Sequence, residues 1–402
     1  MSLMTTIRCR AVQVFVRTGR RLRRGRKQTL ETGTGAVFGL GQFMRDRRLR
    51  TPLVVVGAGE AISRGKLLHA LETDDISYAL FEDMPPVPTV EDGERIAQAF
   101  FSQSCDSLIA LGDGTVVDIT KAAAALCGYR GRSMLGLVGK KLNRRSIPPV
   151  IAVPTVAGTG AESRTMAVIR DGRQNRFSLE GEGLLPVLAM LDPELTADAP
   201  RDKTADAGLD GLCWAIEAFL AAPHGDGRTR TMAAEAVERL LASLESCWNS
   251  GGTVRERNDI LAASRLAGRA ASAVGGGYVR AFVRAVQTVC GTELREACGV
   301  LLPAILEKYG NYAADGLAQL AVLADVQESG SRAERAEAVI GRIRALTFRL
   351  GLPDEFEGVT AEQAAEIADL AAAAANPRWI SPVVWTAEQC HNIILSVCAR
   401  MD

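Results

Sequence analysis

Histidine is scarce in this 402-residue chain, occurring only at His69, His224 and His391. So few imidazoles sharply limit any metal or acid–base chemistry that would rest on histidine. Nine cysteines occur, none with C-x-x-C spacing and none at regular intervals. That pattern speaks against a thiolate zinc site and for reduced, mostly buried thiols in a cytoplasmic protein. No apolar run reaches the ~18 to 20 residues that a membrane span requires, so no membrane partner is expected. Net charge is also missing, with 47 Lys and Arg against 47 Asp and Glu. This balance gives no reason to expect a nucleic-acid partner. Internal repeats and low-complexity linkers are absent apart from the short Gly275-Gly276-Gly277.

What remains is a chain long enough for two cores. Its first half alternates short apolar β-branched runs with helical periodicity. Leu53-Val54-Val55-Val56, Ile76 to Phe81, Leu108 to Leu111 and Val150 to Val153 read as strands, and Glu91 to Gln103 and Val117 to Leu126 as helices. Alternation of this kind predicts a mostly parallel sheet covered on both faces. After about Leu195 strand signals vanish and Ala, Leu, Glu and Arg dominate. Helices are predicted over 203–222, 229–247, 254–273, 279–289, 295–306, 316–324, 332–350 and 361–375. We therefore expect an α/β domain over 1–195 and an all-helical domain over 196–402. The N-terminus stands apart, because residues 8–27 carry nine Arg or Lys and no acid. A transit peptide or an anion-binding arm fits this, but an edge strand at Ala11 to Val16, guarded by a basic turn from Arg20 to Lys27, is preferred.

Chemistry concentrates in three blocks: Gly112-Asp113-Gly114-Thr115-Val116-Val117-Asp118, Pro154 through Glu162 with Thr155, Gly158, Thr159 and Gly160, and Asp192-Pro193-Glu194-Leu195-Thr196. The first two each follow a buried strand, and the first runs into a helix start, an arrangement that aims backbone N–H groups at a phosphate. In order and spacing the three blocks resemble the iron-containing alcohol dehydrogenase family, related in fold to dehydroquinate synthase and glycerol dehydrogenase. The resemblance extends through Asp210-Gly211-Leu212-Cys213-Trp214-Ala215-Ile216-Glu217, where the family reads D-A-L-x-H-A-I-E. It implies a dehydroquinate synthase-like fold, with cofactor and substrate held in a cleft between the two domains. NAD or NADP would be bound by Gly112, Asp113, Gly114, Thr115, Asp118, Thr155 and Thr159, with Leu191 in the same set. Asp113 replaces the family's middle glycine, and a carboxylate beside a diphosphate is unfavourable unless it points away or meets a cation. Arg164 stands where the family has another threonine, and Arg176 near its cofactor lysine. Each reads either as a solvated surface arginine or as a grip on a phosphate or carboxylate. The first βα turn, Val56-Gly57-Ala58-Gly59, lacks the acid that binds the adenosine ribose in the family. Selectivity against a 2′-phosphate is then lost, and both NAD and NADP remain open.

The family's metal ligands are where the chain departs most. Asp210 keeps the first position, but Trp214, Arg280 and Leu294 stand at three ligand positions, with Arg284 at the other histidine of the H-x-x-x-H segment. Indole, guanidinium and alkyl groups do not bind Fe²⁺ or Zn²⁺, so no metal is expected. Arg280 and Arg284 lie one helical turn apart and leave the same face. In place of a metal they would stabilise a developing oxyanion or grip an acidic substrate, with Asp210 as counter-ion. The leading expectation is a metal-independent NAD(P)-dependent oxidoreductase acting on a small anionic aldehyde or ketone, cytoplasmic and homodimeric, with Arg280, Arg284 and Asp210 as catalytic residues. A plain Asp210–Arg280 salt bridge in a non-catalytic dinucleotide-binding or regulatory homologue stands against it, and a dehydroquinate synthase-like lyase ranks third.

Overall fold

In a computed structural model of the chain, the described residues are 7–13, 28–142, 147–173, 175–221, 227–377 and 379–399. They divide into two compact units. One comprises Gly25–Lys203 with Gly251–Arg265; the other comprises Met1–Arg24, Thr204–Ser250 and Leu266–Asp402. Among the described residues no helix is long and apolar enough to cross a membrane.

The first unit is built on six parallel strands in the order β1-β8-β5-β4-β2-β3. These are β1 (Thr29–Thr32), β2 (Pro52–Val56), β3 (Ala79–Phe81), β4 (Ser107–Gly112), β5 (Val150–Pro154) and β8 (Leu188–Leu191). Strand β2 is buried along its whole length, as a near-continuous apolar run in a doubly covered sheet requires. Period-two alternation sends Leu53 and Val55 into one core with Ile96 and Phe100 of α4 (Val90–Ser102) and Ile119 of α5 (Gly114–Gly128). Val54 and Val56 enter the opposite core with Leu40 and Met44 of α2 (Leu40–Arg47) and Leu67 and Leu71 of α3 (Ala61–Thr73). A separate antiparallel hairpin joins β6 (Met166–Arg170) to β7 (Arg176–Glu180).

Four strands emerge only in the fold, the apolar β8 and three whose sequence signals are weak. Strand β1 reads Thr-Leu-Glu-Thr, polar enough for a sheet edge, and β6 and β7 carry Arg170 and Arg176 at a paired position. The N-terminal expectation is corrected in part. Residues 11–13 belong to a helix, α1 (residues 7–13), and β1 holds the sheet edge instead. Helical spacing puts Arg10 and Gln13 together, and they hydrogen-bond to each other. Arg10 then donates to the carbonyls of Ser381 and Pro382, and Gln13 to that of Trp379. The rest of the expected strand and the basic turn at 20–27 lie outside the described residues.

The second unit is helical: α6 (Arg201–Leu220), α7 (Gly227–Ser250), α8 (Val254–Val274), α9 (Tyr278–Val289), α10 (Leu294–Tyr309), α11 (Asn311–Leu323), α12 (Arg332–Arg349), α13 (Ala361–Ala375) and α14 (Ala387–Leu395). The first residues of α6 and the first part of α8 belong to the α/β unit. Helices α6 and α7 pack closely enough that a Cβ on Gly208 would sit 2.3 Å from Leu244 Cδ1.

Within the α/β unit, one buried charge organises α5. Lys121 is fully buried and donates from Nζ to Asp118 Oδ1 (2.9 Å), to the Ala161 carbonyl (2.9 Å) and to the Met166 carbonyl. Asp118 Oδ2 accepts from Val168 N at 3.0 Å and meets Arg164 at 3.5 Å. Burial pulls the Lys121 pKa down, and Asp118 works against that pull. Removing one partner of a buried ion pair strands the other and costs about 3–5 kcal/mol. Asp118→Ala is therefore expected to lower unfolding stability on that scale in a urea titration. A loss under about 1 kcal/mol would mean that the two carbonyls serve Lys121 unaided.

Candidate functional site

The order β5-β4-β2 brings three turns side by side at the carboxyl edge of the sheet. Gly112 pairs with Pro154, Thr155 N donates to Gly112 O at 3.1 Å, and Gly57 N donates to Leu111 O at 2.9 Å. Gly112 has φ +156°, and an added Cβ there would lie 2.8 Å from Val116. At Gly114 an added Cβ would lie 2.3 Å from Thr159 Oγ1, so this glycine is required where the first block packs against the second. The second block is held from behind, because Gly160 N donates to Ser264 Oγ at 2.9 Å.

Asp113 is the N-cap of α5. Its Oδ1 accepts from Thr115 N (2.9 Å) and Val116 N (3.2 Å), and its Oδ2 meets Lys203 Nζ at 3.2 Å. The carboxylate thus both caps a helix and meets a cation. Glu60, the N-cap residue of α3, reaches the same edge and accepts from Thr155 Oγ1 at 2.6 Å. Burial raises the Glu60 pKa, Thr155 opposes the rise, and the charge of Asp113 adds to it. The first βα turn therefore does bring a carboxylate to the strand ends, four residues beyond the strand. It lies one residue beyond the Val56–Gly59 segment.

The other expected cofactor residues are distributed more widely. Asp118 is 4% exposed and committed to Lys121, Val168 and Arg164, inside the fold. Arg164 is also 4% exposed, which corrects its reading as a solvated surface arginine. Arg176 lies on β7, opposite Arg170. Leu191 ends β8 in the core at 1% exposure and presents no open side chain. Asp113, Gly114, Thr115 and Thr159 are half-buried at the edge, whereas Thr155 is buried.

The helical unit contains a second cluster. Asp210 and Trp214 are one turn apart on α6, and Arg280 projects from α9. Arg280 Nη1 donates to Asp210 Oδ1, and Trp214 Nε1 donates to Asp210 Oδ2 at 3.1 Å. The guanidinium carbon lies 4.8 Å from the Trp214 ring centroid. Asp210 and Arg280 are both about nineteen-twentieths buried, at 4% and 5% exposure. Arg284, one turn further on, lies with its guanidinium carbon 5.6 Å from the Trp379 ring centroid. Leu294 opens α10. Tyr278 is buried, its hydroxyl donating to Asn376 Oδ1 at 2.9 Å and accepting from Trp385 N at 2.6 Å.

A divalent cation does not fit this donor set. Both Asp210 oxygens accept from the indole and the guanidinium, and among the described residues no three His, Cys, Asp or Glu side chains gather as a metal cluster. Behind the pair sits Glu217, which sequence reasoning passed over. It accepts from Gly277 N (3.0 Å), Val279 N (2.6 Å) and Arg280 N (3.4 Å) at the start of α9. A Cβ on Gly277 would meet Glu217 Oε1 at 2.5 Å. Burial pushes the Glu217 carboxyl up to about 7, against the pull of Arg280 and the three N–H groups.

A parallel sheet carrying glycine turns at its carboxyl edge, with a helical second unit, defines a dehydrogenase-like architecture. Residues 28–193 match the iron-containing alcohol dehydrogenase description and residues 204–397 its Fe-containing C-terminal domain. The chain belongs to the iron-containing alcohol dehydrogenase family, and so to the alcohol dehydrogenase-like oxidoreductases. It is 32% identical to the 4-hydroxybutyrate dehydrogenase of Cupriavidus necator over 225 residues, 54% of this chain and 57% of that protein. It is 27% identical to the 1,3-propanediol dehydrogenase of Klebsiella pneumoniae over 342 residues, 83% of this chain and 87% of that protein. In fold it is similar to the sulfoacetaldehyde reductase from Bifidobacterium kashiwanohense in complex with NAD+. The TM-score is 0.83 and the identity 23%, covering 92% of this chain and 97% of that one.

Two outcomes follow from the Asp210 cluster. Folded Glu217 holds its proton more tightly than its ordinary pKa of 4.5 allows, so its contribution is fully present below about 4.5 and lost as pH rises through about 7. The loss amounts to roughly 3 kcal/mol. The parent's thermal midpoint should fall from pH 5 to 8 more steeply than that of Glu217→Gln; parallel profiles would exclude this titration. Separately, Arg280→Ala leaves a buried carboxylate unpaired and should cost about 3–5 kcal/mol. Adding Asp210→Asn should restore most of that stability in a denaturant titration. No recovery in the double variant would show that the pair is not the source of the loss.

Proposed function

We propose that this protein is an NAD(P)-dependent oxidoreductase that interconverts a small anionic aldehyde or ketone and its alcohol without a divalent metal. The observation that carries the metal-free part is the engagement of both Asp210 oxygens by Arg280 and Trp214. A dinucleotide would lie at the carboxyl edge of the sheet against Gly112, Gly114, Thr115 and Thr159, and would supply or accept the hydride. Backbone N–H groups at a helix start and glycines allowing close approach suit a diphosphate. Asp113 is an unfavourable neighbour there.

Arg280 takes the part that a Lewis acid plays in other carbonyl reductions. Its charge is permanent, and Asp210 with the Trp214 face holds the guanidinium plane in one orientation. A preorganised donor of this kind stabilises negative charge developing on a carbonyl oxygen. Arg284, on the same helix face, would grip the substrate's own acid group. Two relatives support an anionic substrate by name: a 4-hydroxybutyrate dehydrogenase and a sulfoacetaldehyde reductase.

A second reading keeps the dinucleotide but not the chemistry. It is favoured by the direct Asp210–Arg280 pair, which partly neutralises the guanidinium. Turnover of NADH and NADPH against a panel of small aldehyde and keto acids separates the two. The oxidoreductase reading expects chelator-insensitive turnover that falls about 10²-fold in Arg280→Ala. Arg280→Lys should recover only part, because a point charge does not reproduce a planar fork. The Asp210→Asn, Arg280→Ala double variant should regain stability while staying inactive. Dinucleotide binding with no turnover across the panel would replace this reading by the second.

A further inference from the structure

Asp113 already occupies the place where the proposed cofactor's diphosphate would bind. At the start of α5 the N–H groups of Thr115 and Val116 point at Asp113 Oδ1, at 2.9 and 3.2 Å. These are the donors that a helix start offers to a phosphate. The charge that satisfies them is on the chain itself, and its second oxygen is turned toward Lys203 Nζ at 3.2 Å. Asp113 is partly accessible, with its side chain 21% exposed, and Lys203 is 47% exposed, so the pair sits at the mouth of the turn. Glu60 stands close enough for Asp113 to raise its pKa, which adds a second acid at the same edge. Arg170 also feels Asp113, whose charge resists the lowering of its pKa by burial.

From this geometry we propose that Asp113 is a built-in competitor for the dinucleotide's diphosphate, and so sets the cofactor affinity of this chain. The proposal rests on the reading that the glycine turn holds a dinucleotide. A diphosphate approaching the turn meets a like charge and finds two N–H donors taken. Binding then requires the Asp113 carboxylate to leave those donors and swing out toward Lys203, the cation already attached to its far oxygen. The cost of that displacement appears as weaker affinity. A residue without charge at position 113 removes the repulsion, and a glycine also frees the two N–H groups.

The test is direct titration of the full-length protein with NADH and NADPH, followed by nucleotide fluorescence and by calorimetry. Asp113→Asn keeps an N-cap of similar quality, so its thermal midpoint should stay near the parent's. It should bind at least about tenfold more tightly, and Asp113→Gly at least as tightly as Asp113→Asn. Inorganic pyrophosphate alone should displace NADH from both variants at lower concentration than from the parent. If parent and variants bind with the same constant, or the variants bind more weakly, the competitor role is overturned while the dinucleotide reading stands. If none of the three proteins binds either nucleotide at millimolar concentration, both are overturned.

Discussion

A lysine ammonium with no access to water is the constraint around which the α/β unit is arranged. Lys121 satisfies its three donors with one carboxylate and two backbone carbonyls from segments far apart in sequence. The carboxylate lies on its own helix, the carbonyls at Ala161 and Met166. Meeting those needs fixes α5 against the second motif block and against the start of the β6–β7 hairpin. The glycine turn ahead of α5 then has little freedom, and Gly114 is drawn into contact with Thr159. A charge expensive to bury is tolerable because it ties together the pieces that shape the turn.

The helical unit handles buried charge differently. Asp210 and Glu217 lie two turns apart on α6, and the single guanidinium of Arg280 serves both. Glu217 makes up the balance by holding a proton up to about pH 7, while its oxygens accept from three backbone N–H groups. Trp214 completes the arrangement, with its ring face toward the cation and its N–H toward the anion. The Asp210 cluster is thus held together by an ion pair stacked on an indole.

Much of this was legible in the residues, and the limits are physical. The buried strands β2, β4 and β5 and the long helices α4, α5, α9, α12 and α13 follow from apolar runs and helical spacing. Strand β1 and the hairpin did not, because their polar side chains carry no pattern until a neighbouring strand gives them a face. The helix at residues 7–13 imitates a strand through Ala11, Val12 and the apolar residues after them, whereas Arg10 and Gln13 bond at helical spacing. At the site, the three motif blocks and the Asp210–Arg280 partnership could be named in advance. Glu60 and Lys203 could not, since each belongs to the turn only through the strand order and the path of α6. Asp118 matches the family's pattern in sequence and Arg164 replaces a threonine of it, and the contacts of both turn them inward.

An ion held by ligands is subject to supply: it loads, leaches and can be replaced by a competing metal according to concentration and affinity. A guanidinium fixed to α9 has no such dependence, because its effective concentration beside Asp210 is set by the fold. On the proposed metal-free reading, occupancy of this position is settled once, when the chain folds, and stays indifferent to the metal content of its surroundings. The same permanence removes a form of control. A tethered cation cannot be withheld, exchanged for one of different reactivity, or change its oxidation state.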